Sequence, residues 1–89
     1  MNDRIQRIEK ALVDEFSPVK LLVKDQSHLH VGHAGARSGL GHFDVTIVAE
    51  KFSGANRLRR HKMVYAALGE LMQSDIHAVR ITARTTSEL

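Results

Sequence analysis

Apolar residues recur with two different periods along this chain, and the alternation between them predicts most of its elements. Ile5, Ile8, Leu12 and Phe16 share one face of the segment 3–16, with Ala11 beside them, while Arg4, Arg7, Glu9, Lys10 and Asp14 point elsewhere. That is the pattern of a helix lying on a core. Asp3, with Gln6 three residues on, is a weak start signal. Ser17-Pro18 is the stop, since proline cannot continue a helix and pushes its predecessor towards extended geometry. The period then drops to two. Over 19–25, Val19, Leu21 and Val23 face one way and Lys20, Leu22 and Lys24 the other. Over 42–49, Phe43, Val45 and Ile47 face inward and Asp44, Thr46 and Val48 outward. Strands with one apolar face belong to a sheet covered by helices on one side and open on the other.

Between these strands, from Gln26 to Gly41, there is no usable period. Gly32, Gly35, Gly39 and Gly41 punctuate a loop that also carries His28, His30 and His33. Loops of that length are usually functional or disordered. After the turn Phe52-Ser53-Gly54 the helical period returns in Leu58, His61, Val64 or Tyr65, Leu68, and Leu71 or Met72, predicting one main helix over about 56–73. Gly69 lies inside it at a cost of about 1 kcal/mol in propensity, and suggests close packing on the sheet. Ser74-Asp75 ends the helix. A third strand over 76–84 turns Val79, Ile81 and Ala83 inward and Ala78, Arg80, Thr82 and Arg84 outward, and there is room for a short helix from Thr85. The order is α-β-β-α-β, an α+β fold. The first two strands form a hairpin, and the third, reached by a helical crossover, lies parallel to its neighbour with right-handed connectivity. The result is a three-stranded mixed sheet with helices on one face.

Length and charge narrow the possibilities. Eighty-nine residues make one domain, 1–89, burying about 60–65% of its unfolded surface. With no cysteine, disulfides and thiolate ligands are excluded, so any metal is held by nitrogen or oxygen. The charged start MNDRIQRIEK is neither a signal peptide nor a membrane span. A net charge of +3 matters only where it is concentrated. Lys51, Arg57, Arg59, Arg60 and Lys62 form such a concentration, with no acid between Glu50 and Glu70. That field suits nucleic acid, an acidic protein surface or a small anion.

Six histidines are many for this length. His61, on the apolar side of the main helix, reads as a core-edge residue whose ring bonds a backbone carbonyl, and His42 reads as a satisfied sheet-end residue. His28, His30 and His33 together bring three imidazoles within reach of one ion. His77 stands at a helix-to-strand junction, where a side chain can be held rigidly at a sheet edge. A fixed histidine plus one from the loop is too few for a closed structural zinc site, but it suits half of a site shared with another molecule. No GxxxxGK[ST], HExxH or Ser/His/Asp spacing is present, and Asp25, Asp44 and Glu50 read as separate surface acids. The chain reads as a non-enzyme.

These residues resemble the BolA family. The resemblance rests on Asp25-x-Ser27-x-x-His30, His42-Phe43, Val48 with Phe52-x-Gly54, Arg60-His61-Lys62-x-Val64-Tyr65 and Ile76-His77-Ala78, and runs almost end to end. Lys62 stands where arginine is commoner, and Gly41 where many relatives have threonine. The resemblance implies a BolA-like fold similar to type II KH domains. It also implies an adaptor that binds a monothiol glutaredoxin and co-ligates a shared [2Fe-2S] cluster, in cluster assembly and transfer or in iron sensing. His77 is the implied fixed ligand. The second comes from the loop, where His30 matches the pattern and His33 stands as its alternative. Without cysteine, the chain resembles a histidine-loop subtype. Glutathione would arrive with the partner, the isolated chain would carry no cofactor, and a monomer would become a heterodimer on binding. The location expected is the cytoplasm for a bacterial chain, or a mitochondrion or plastid for a processed eukaryotic one. The alternative is a DNA-binding transcriptional regulator. In both readings Arg57, Arg59, Arg60, His61 and Lys62 supply the partner or nucleic-acid surface. No GXXG loop falls at the helix junction where a KH domain needs it.

Overall fold

The computed structural model describes residues 3–26 and 41–89. The first helix, α1 (Asp3–Phe16), buries Ile8, Leu12 and Phe16, three of the four residues whose spacing predicts its inner face. Strand β1 (Lys20–Asp25) runs antiparallel to β2 (Gly41–Val48), with Lys20 opposite Val48 and Asp25 opposite Phe43. Strand β3 (Ile76–Arg84) lies parallel to β2 on its other side, so the order is β1-β2-β3. Helix α2 (Arg57–Leu68) and the single turn α3 (Leu71–Ser74) complete the crossover. A 3₁₀ turn, Glu50–Phe52, leads into it, and another, Thr86–Glu88, follows β3. This is the α+β order that the periodicity predicts.

The core lies between helices and sheet. Phe43, Val45 and Ile47 of β2 meet Ile8, Leu12 and Phe16 of α1, Val64 and Leu68 of α2, and Ile76 and Ile81 of β3. Phe52 is fully buried, its ring centroid 4.9 Å from that of Phe16, so the 3₁₀ turn is pinned to the end of α1. Aromatic burial of this kind dominates the energetics of a small core.

Several details depart from the sequence expectation. The main helix is not continuous: it ends at Leu68, and Gly69 adopts φ +51° and ψ −123°, a region open essentially to glycine alone. A Cβ there would meet nothing nearer than the Ala66 carbonyl oxygen at 3.7 Å. Glycine serves the backbone bend, not close packing on the sheet. Leu58 is 64% exposed, because the first turn of α2 lies at the sheet edge, where Arg60 reaches the Ala83 carbonyl. Val19 precedes the strand and is exposed. Val48, assigned outward by alternation, is fully buried. Its cross-strand neighbours are Lys20 and Arg84, whose long stems can cover an apolar residue while their charges stay in water.

The C-terminal turn is locked in place. Glu88 accepts from Arg60 at 2.6 and 2.9 Å and from the Thr85 N–H at 2.7 Å. Glu50 accepts from the Thr86 N–H at 3.0 Å. The Arg60 guanidinium beside Glu88 holds its carboxyl down at about 2.

Candidate functional site

His77 owes its position to an irregularity in the sheet. Gly41 is paired with Ile76, but the next residue, His42, is paired with Ala78, so His77 is the extra residue of a bulge in β3. Bulges re-aim a side chain and recur beside functional sites. Ile76, 1% exposed, anchors the strand in the core, and His77 beside it is exposed. The His77 ring lies 5.0 Å from that of His42, centroid to centroid, at 53° between planes. Next to this pair the outer face of the sheet forms an open depression of about 450 Å3, lined among others by Gln26, His42, Asp44, Ala78 and Arg80.

Two positions before His77 lies Asp75, which the sequence marks only as the end of the helix. It is only 6% exposed. Its carboxylate accepts from Arg7 Nε at 3.0 Å, from a second Arg7 nitrogen and from Ser74 Oγ at 2.5 Å, with Arg4 at 4.0 Å. Its carbonyl accepts from Gly41 N–H at 3.0 Å. Helices α1 and α3 and the first residues of β2 and β3 therefore converge two positions before His77. The Ser74 and Arg7 hydrogen bonds hold the carboxyl below its usual range, so it is ionised at neutral pH. No local pattern announces this clamp, since its partners lie 68 residues apart.

The basic run is dispersed by the helix. Arg60 points inward: its side chain is 12% exposed and its donors go to Ala55 and Ala83 carbonyls and to Glu88. Arg57 and His61 line a depression of about 370 Å3 with Ile81, Thr82, Ala83 and Arg84. Arg59 turns to a different one, beside Lys51, Ser53, Gly54 and Met63. Lys62 is exposed. His61 makes no hydrogen bond among the described residues, so the carbonyl-bonded ring expected from the sequence is not what the structure shows.

The two groups of residues are well apart. Arg60 and His61 adjoin Ala83, six positions along β3 from His77, which at the rise of a strand is about 20 Å. One small anion cannot span both.

The loop residues His28, His30 and His33 lie outside the described residues. Among the described residues no group of three or more His, Asp or Glu could hold a metal ion, and none of the helices is long and apolar enough to cross a membrane. An exposed imidazole at a rigid strand start, with open surface beside it, has the chemistry of one ligand in a site completed by other groups.

The mixed sheet, the helical crossover and the histidine at the head of the third strand define an α+β domain of BolA type. Residues 12–88 match the family model described as BolA-like protein, and the chain belongs to that family. It is 37% identical over 91 residues to "Protein BOLA1, chloroplastic" of Arabidopsis thaliana, covering 99% of this chain and 57% of that relative. It is 39% identical over 83 residues to "DNA-binding transcriptional regulator BolA" of Escherichia coli (strain K12), covering 93% of this chain and 76% of that protein. Among solved structures, the BolA domain of SufE1 from Arabidopsis thaliana superposes with a TM-score of 0.88 at 34% identity, covering 100% of this chain and 99% of that one.

Proposed function

We propose that this protein is a non-enzymatic adaptor that pairs with a monothiol glutaredoxin and contributes histidine ligands to a [2Fe-2S] cluster held between them. The observation that carries this reading is His77 itself. It is exposed, placed by a bulge, and backed by a buried ionic clamp, and among the described residues its side chain makes no hydrogen bond or ion pair. His30 or His33 would supply the second ligand, and the partner's thiolate and glutathione the remainder. Bound there, the cluster would supply electron-accepting and transferable iron–sulfur chemistry. This chain's residues would present imidazoles, whose replacement of thiolates raises cluster potential. The test is titration with a cluster-loaded monothiol glutaredoxin, followed by visible circular dichroism. Wild type should alter the spectrum, His77→Ala should abolish the change, and His30→Ala or His33→Ala should weaken it. An unaltered spectrum with wild type refutes the reading.

A second reading is DNA binding, favoured by the name of the Escherichia coli relative and by exposed Arg57, Arg59 and Lys62 on one helix. It predicts a salt-dependent affinity whose slope falls by about one on Arg59→Ala. A slope unchanged by that substitution counts against it.

A further inference from the structure

Strand β3 is the last in the sheet, and among the described residues no strand pairs with its outer edge. The Ala49 N–H donates to the Arg84 carbonyl at 2.9 Å, so Arg84 and, by strand alternation, Thr82 and Arg80 turn their main chains towards β2. Val79, Ile81 and Ala83 therefore direct their N–H and C=O groups outward. Among the described residues only one bond reaches these groups, from Arg60 to the Ala83 carbonyl at 3.0 Å. An unpaired strand edge is a template for another strand unless something blunts it.

Here the surroundings of the edge are cationic. Arg57, His61 and Arg84 line a depression beside Ile81–Ala83, and no described residue forms an ion pair with them. Such cations discourage neutral and basic edges but complement an acidic one. The chain shows the preference on itself, since Glu88 at this corner is taken bidentately by Arg60. Leu58, three residues before His61 and so on the same helix face, is 64% exposed and offers apolar surface beside the charge.

We propose that the unpaired main-chain groups of β3, those of Val79 and Ile81 and the Ala83 N–H, are a strand-pairing site for an extended, acidic segment of a partner protein, whose carboxylates Arg57, His61 and Arg84 receive. Main-chain hydrogen bonds give such a mode its affinity and the flanking side chains its selectivity. The site's cationic end at Ala83 lies about 20 Å from His77 and its near end at Val79 about 7 Å, and the site does not depend on the cluster-sharing reading.

The test uses the full chain, with a capped peptide of alternating Val and Glu as the probe. A Val–Lys peptide, the same Val–Glu peptide N-methylated at alternate residues, and a single-stranded oligodeoxynucleotide serve as comparisons. The Val–Glu peptide at saturation should slow amide hydrogen exchange at Val79 and Ile81 by about tenfold. N-methylation should abolish this protection, and Val–Lys should not produce it. Arg57→Glu with Arg84→Glu, both at exposed positions, should weaken Val–Glu binding about tenfold, and His77→Ala should leave it unchanged. Binding that leaves the Val79 and Ile81 amides unprotected, or that N-methylation does not affect, overturns the proposal in favour of a merely charged surface. Failure of the Val–Glu peptide to bind while the oligodeoxynucleotide does so, with Arg57 and Arg84 required, overturns it in favour of nucleic acid.

Discussion

At the scale of single residues, the two ionic devices of this fold respond to pH in the same direction and differ in burial. Glu88 is exposed enough to be solvated, yet Arg60 and the Thr85 N–H hold its pKa at about 2 against an ordinary 4.5. A carboxyl depressed in the folded state contributes stability that is fully present above about 4.5 and lost as pH falls through about 2. The urea midpoint of the wild type should therefore fall between these pH values by more than that of Glu88→Gln, while the two variants differ by a constant amount above pH 5. Parallel curves throughout would show that the pair contributes no net stability, as many surface pairs do not. Asp75 is the buried counterpart. Asp75→Ala removes the acceptor from Arg7 and Ser74 and should cost about 2 kcal/mol in urea unfolding. It should also loosen the His42–His77 ring contact, read as loss of their ring-to-ring nuclear Overhauser effects. An intact ring contact in a folded Asp75→Ala protein would show that the bulge holds itself.

At the scale of elements, most of the fold is legible in periodicity because each element buries one face. Phe43, Val45 and Ile47 alternate inward as written, and Ile8, Leu12 and Phe16 fall on one helical stripe. The failures share a cause: tertiary geometry overrides local pattern. Leu58 has the spacing of a core residue but lies on a turn that projects to the sheet edge, and Val48 has outward parity but is covered. Gly69 is the instructive case, because a helical pattern continues on both sides of a break that only its dihedrals reveal. Gly69→Ala should cost about 1–3 kcal/mol through backbone strain alone, since a methyl group meets no close neighbour. A loss under 0.5 kcal/mol would mean that the bend relaxes into a continuous helix. The site was half legible. His77 stands out at a junction that composition and spacing mark, whereas Asp75 and the free edge of β3 depend on contacts between residues far apart in sequence.

At the scale of the whole molecule, β3 carries His77 at its head and the cationic edge near its tail, with Asp75 pinning one end and Arg60 the other. The cations beside Ala83 stand about 20 Å from His77, beyond the roughly 8 Å Debye length at physiological salt, so they do not act on it through direct charge. Two routes remain for coupling, a partner long enough to span both or a shift of the strand itself. A strand held by β2 along its length and clamped at both ends resists such a shift, and packed cores do not deform continuously. The two sites should therefore be energetically independent. His77→Ala and the Arg57→Glu, Arg84→Glu pair should have additive effects on affinity for a glutaredoxin, within about 0.5 kcal/mol, as measured by calorimetry on the single, paired and combined variants. A larger coupling would show either a partner that spans both sites or a β3 that moves as a lever, and Asp75→Ala in the same cycle would remove the coupling only in the second case, by freeing one end.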